Sequence, residues 1–153
     1  MTSFAAAGVS SDRGLAPAFP LTRRQKQLVR ESFATLSPAS DLLAEAFYRR
    51  LFEIAPQVRP MFTDSEAEQR RKLITALRLA VAGLDRIGEI APTLRLLGVR
   101  HRDYGVAPLH YGYVAEALLW TLSNCLGDRF DSETRDAWVA VYTLMAEIMT
   151  AEG

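Results

Sequence analysis

Residues 97–106 read LGVRHRDYGV. With Leu94 just upstream, Leu97 and His101 fall at i, i+3 and i+7, the spacing of one helix face. One of the chain's two histidines therefore ends an apolar stripe. Gly105 and Pro108 stop this helix on its far side. Gly88 and Pro92 separate it from the preceding one, so a short helix is expected.

The same helical spacing recurs on both sides of this segment. Thr22 and Gln25 have the spacing of a capping box, in which each side chain satisfies an amide at a helix start. Leu28, Phe33 and Leu36 mark the inward face of the helix that follows. Ser37-Pro38 is expected to end it and open the next, serine as N-cap and proline in the first turn. Leu43, Phe47, Leu51 and Ile54 form that helix's inward row, with Tyr48 at its edge, and Pro56 and Pro60 bracket a tight turn. Ser65 and Glu68 make a second expected capping box. The stripe behind it, Gln69, Leu73, Leu77, Ala80 and Leu84, is apolar except for its leading residue. Downstream, Tyr111, Ala115, Leu118, Leu119 and Leu122 mark a long helix closed by Gly127. Asp131 or Ser132 opens the last helix, with Trp138, Tyr142, Met145 and Met149 inward. No segment alternates with a period of two. The expected fold is all-α, with six or seven helices of unequal length.

Composition narrows the function classes. Of 153 residues, 49% are hydrophobic and 24% charged, the balance of an ordinary folded domain. The 18 basic and 18 acidic side chains cancel, which argues against a nucleic-acid binder. A single cysteine, Cys125, rules out an internal disulfide framework and any multi-cysteine metal site; at a helix end it is expected to be buried and inert. Glu116 interrupts the longest uncharged run, so no membrane span is expected. Residues 1–20, rich in Ala, Ser, Gly and Pro, read as a flexible tail, leaving 21–153 as one domain. That tail lacks the basic start and long apolar core of a signal peptide, which points to the cytoplasm.

Two readings of His101 are open at this point. It is either a core histidine with its nitrogens satisfied, or an axial ligand to a haem iron. A flat apolar macrocycle needs two walls. The helices carrying His101 and Gln69 would supply them.

LGVRHRDYGV resembles the proximal-helix segment of globins, especially neuroglobins and single-domain bacterial haemoglobins. FYRRLFEIAPQVRPMF, from Phe47 to Phe62, is similar to the second and third helices of bacterial haemoglobins and of flavohaemoglobin globin domains. The resemblance runs from about Leu21 to Glu152. It implies a globin fold whose helices sandwich haem b, with His101 as the iron ligand. It implies that Tyr48, Gln69 and Leu73 line the distal, gas-binding side. Phe62 then packs on the haem, with Leu97, Val106 and Tyr111 on the proximal side and Lys72 beside a haem propionate. Phe62 and Gln69 lie close together in sequence, so the connection between them is expected to be pinched, without a D helix. In flavohaemoglobins a tyrosine and a glutamate support the proximal histidine; Tyr111 matches the first, and Glu152 is the nearest candidate for the second.

The resemblance further implies reversible binding of oxygen, for storage, delivery or scavenging. Nitric oxide or carbon monoxide are the other diatomic ligands expected. An enzymatic alternative is nitric oxide dioxygenase, which consumes an electron per turnover and here calls for a separate reductase. A haem-based gas sensor is the third. Neither nucleic acid nor membrane is an expected partner, and the expected assembly is a monomer or a homodimer.

Overall fold

The computed structural model describes residues 21–151, so the segment read as a tail lies outside the described residues, as does Glu152. Helix α1 spans Arg23–Leu36 and starts where the sequence supplies its cap. Thr22 Oγ1 accepts from the Gln25 amide and Gln25 Oε1 accepts from the Thr22 amide, both at 3.0 Å. A short 3₁₀ turn, Ser37–Ala39, leads into α2, Ser40–Ile54. Ser37 does not act as the side-chain cap expected of it: its backbone N–H donates to Phe33 O and closes α1 instead. Pro56–Met61 is a 3₁₀ helix, and only three residues, 63–65, separate Phe62 from α3, Glu66–Ala82. This short link is the pinched connection without a D helix. Ser65 Oγ accepts from the Glu68 amide at 3.2 Å, but the Glu68 carboxylate pairs with Arg71, so only half of the expected capping box forms.

Helix α4, Ile87–Asp103, is longer than its sequence punctuation suggested. Gly88 sits in the first turn, where amides lack helical partners anyway. Pro92 forfeits one bond, to the Gly88 carbonyl, and burial of Ile90, Ala91 and Leu94 on the same helix offsets that loss. Helix α5, Pro108–Leu126, a 3₁₀ turn at Gly127–Arg129 and α6, Ser132–Thr150, complete the chain. Asp131 caps α6 by accepting from the Thr134 amide at 2.9 Å. There are six α-helices and no strand among the described residues.

The main packings are α2 on α5, α1 on α6, and α4 on α6, with α3 held against α2. Val29, Leu43, Leu51, Leu84 and Leu122 are the largest fully buried apolar side chains of the shared core. Trp138 Nε1 donates to Ser32 Oγ at 2.8 Å and ties α6 to α1. Cys125 is exposed on the last turn of α5, contrary to expectation; partial desolvation still raises its thiol pKa, which keeps it a weak nucleophile. By contrast, α3 and α4 scarcely touch. Each of the two is held by a different neighbour, α3 by α2 and α4 by α6.

Candidate functional site

Helix α4 fixes His101 from both ends. His101 Nδ1 lies 2.7 Å from the carbonyl of Leu97, one turn earlier, which orients the ring and assigns the proton to Nδ1. Nε2 takes no hydrogen bond among the described residues. The backbone of His101 is secured by the helix terminus: Val106 N donates to His101 O and Gly105 N to Arg102 O, both at 2.9 Å. This is a Schellman closure, and it needs the left-handed φ of +94° that Gly105 adopts. Leu97 and Val106 are half-buried and lie beside the imidazole in sequence and helix register. The Tyr111 ring stands 6.3 Å from the His101 ring, and the Tyr111 carbonyl accepts from Tyr142 Oη at 2.8 Å. The second histidine, His110, sits in the first turn of α5, where its Nδ1 accepts from the Ala107 amide at 2.8 Å.

The other wall is built from α2, the 3₁₀ helix and α3. Tyr48 Oη donates to the backbone carbonyl of Gln69 at 3.0 Å, and Gln69 Nε2 donates to the backbone carbonyl of Asp64 at 2.9 Å. Gln69, which led its apolar stripe as a polar exception, is buried to 9% exposure and satisfied by that bond. Phe62 meets Tyr48 edge-on at 5.6 Å and Phe52 at 5.4 Å, so three aromatic rings lock the corner. Burial, with the nearby Asp64 charge, pushes the Tyr48 phenol up to about 12. The hydroxyl is thus a donor at neutral pH. Leu73 is half-buried against the core one turn past Gln69. Lys72 extends outward and pairs with the Asp64 carboxylate at 2.6 Å. A cleft of about 340 Å³ opens from outside onto Tyr48, Phe62 and Gln69.

The structure brings Tyr48, Gln69 and Phe62 into one contact network and gathers Leu97, His101, Val106 and Tyr111 around the end of α4. Asp64 was missed. It holds Gln69 through its main chain and Lys72 through its side chain, and a role carried by a backbone carbonyl leaves no residue-type signature.

These residues fit a haem. The donor set is one oriented imidazole with an uncommitted Nε2, flanked by the half-buried apolar side chains of Leu97 and Val106 on a helix that scarcely touches α3.

The globin family model matches residues 45–149, and the chain belongs to the globin family. The family implies a haem cofactor. The chain is 27% identical over 130 residues to a flavohemoprotein of Bacillus subtilis, covering 83% of this chain and 33% of that protein. It thus spans about a third of the length of the flavohemoproteins it matches. It is 32% identical over 136 residues to the anaerobic nitrite reductase NSHB5 of Oryza sativa subsp. indica, covering 84% of this chain and 92% of the relative. A bacterial globin from Campylobacter jejuni superposes with a TM-score of 0.75 at 26% identity, over 84% of this chain and 93% of that one. An engineered carbene transferase, provisionally a nitric oxide dioxygenase, from Rhodothermus marinus gives 0.77 at 27%, over 86% and 92%. No described helix is long and apolar enough to cross a membrane.

Proposed function

We propose that this globin binds a diatomic gas, oxygen in the first instance, reversibly at a haem held by His101. The observation that carries the proposal is the imidazole clamped at Nδ1 by the Leu97 carbonyl, with Nε2 left uncommitted. Haem b held there by His101 would supply the ferrous iron that binds the gas. Leu97, Val106 and Phe62 exclude water from its faces. Tyr48 and Gln69 hold protons for the gas: Tyr48 must first release the Gln69 carbonyl, whereas Gln69 Nε2 keeps a second N–H beyond the one it gives to Asp64 O. For Tyr48 one hydrogen bond is exchanged for another, so its gain falls below the about 1.5–3 kcal/mol of a bond to a charged partner. Tyr111, beside the imidazole, limits rotation of the ring. Lys72 stands at the rim, where exchange of Asp64 for a propionate would anchor the cofactor edge.

A second reading is favoured by the likeness to flavohemoproteins. The same pocket then holds oxygen while nitric oxide is converted to nitrate, the electron coming from a separate reductase. This setting is cytoplasmic, in keeping with an exposed free thiol, and the chain acts as a monomer or homodimer.

Absorption spectra of the haem-loaded ferric, ferrous and carbon monoxide forms test the assignment. The expected result is a histidine-ligated Soret band that His101→Ala abolishes. An unaltered spectrum and gas uptake in that variant would overturn it. Rapid nitrate formation with an added reductase selects the dioxygenase.

A further inference from the structure

Gly98 lies between the two residues that hold the imidazole, three positions before His101 on α4, and is buried. A Cβ built at this position would overlap the Met149 carbonyl oxygen outright, with the Met149 carbonyl carbon at 2.6 Å and Cα at 2.9 Å. All three atoms are backbone in the last turn of α6, which cannot swing aside as a side-chain tip can. The two helices thus meet main chain to main chain, closer than any other residue type permits. Helix α6 is itself fixed twice on its way to this contact. Trp138 bonds Ser32 of α1, and Tyr142 bonds the Tyr111 carbonyl in the first turn of α5.

We infer that Gly98 is the positioning residue of the proximal side: its missing side chain lets α4 seat on Met149 and so sets how far His101 reaches toward the iron. The inference rests on His101 being the ligand. With α3 scarcely touching α4, nothing on the distal side fixes that reach. The seat on α6 does. Any side chain at 98 displaces the start of the last turn before His101, and the Leu97 carbonyl that aims the ring moves with it.

Gly88 provides the control, because it lies on the same helix and a Cβ there meets nothing within 4 Å. In the haem-loaded chain, Gly98→Ala is expected to shift the iron–histidine stretching band in resonance Raman spectra and to change carbon monoxide association severalfold. In the same variant, amides of the last α6 turn should exchange about tenfold faster. Gly88→Ala should leave all three as they are. A Gly98→Ala chain with an unmoved iron–histidine band and unmoved exchange at the α6 terminus overturns the inference.

Should Gly98→Ala fail to fold, the coupling is read in the native chain. Haem loading must then slow exchange both in 97–101 and at Met149 and Thr150, and protection confined to α4 overturns it. Where Gly98→Ala does fold, exchange at the α6 terminus of its cofactor-free form tests the helix contact alone. Absence of an iron–histidine band in the unsubstituted chain would instead refute the assignment of His101.

Discussion

The Tyr48 hydroxyl donates to the main-chain carbonyl of Gln69 across 3.0 Å, while the Gln69 amide donates to Asp64 O. The two polar side chains of the distal wall are therefore linked head to tail through backbone oxygens. Removing one loosens the other. Tyr48→Phe should raise the oxygen dissociation rate severalfold and cost about 1 kcal/mol of stability. Stopped-flow displacement and urea unfolding check the two effects separately. An unchanged dissociation rate would remove Tyr48 from the gas-binding role.

Ionisation of the same phenol makes stability depend on pH. Its folded pKa of about 12 lies above the ordinary value of 10.0 because burial disfavours the phenolate. The folded state therefore keeps a proton that the unfolded chain releases. The contribution is complete below pH 10 and is lost as pH rises toward the folded value. Tyr142, whose phenol is likewise held up by burial, acts in the same direction. Alkaline unfolding followed by tyrosinate absorbance should show a late component that disappears in Tyr48→Phe.

Gly105 carries the turn that ends α4. Its φ of +94° is unfavourable for any side chain, yet a Cβ there meets nothing within 4 Å. Gly105→Ala should cost about 1 kcal/mol through backbone strain alone. The melting temperature should fall by about 2–4 °C. A larger loss would mean that the terminus carries contacts beyond the Val106–His101 bond.

Pro92 is exposed and forgoes the helical bond to the Gly88 carbonyl. Pro92→Ala restores the bond and should stabilise the chain by about 1 kcal/mol, the helical gain being offset by a freer unfolded state. Thermal melting decides the sign.

The caps at the starts of α1 and α6 and the apolar stripes were legible because they are local, whereas Ser37 and Glu68 found other partners. Thr22 with Gln25, Asp131, and the row Leu43, Phe47, Leu51 state their roles within a turn or two of chain. Gly88 and Pro92 misled because local punctuation was set against burial that only tertiary packing supplies. Tyr48, Phe62 and Gln69 were singled out on resemblance; in the folded chain the Tyr48 and Phe62 rings meet, and the Tyr48 hydroxyl reaches the Gln69 main chain. What stayed hidden acts through main chain. Asp64 offers a carbonyl, Gly98 offers the absence of a side chain, and Met149 is its partner from the far end of the sequence. The hydrogen bonds of Tyr48 and Gln69 to carbonyls were equally invisible, since residue type announces a donor without naming its acceptor.

The two sides of the site are braced by different helices, α3 by α2 and α4 by α6. A substitution buried along α2 therefore disturbs the Tyr48–Gln69 side, and one along α6 disturbs the seat of Gly98 beneath His101, each without passing through the other.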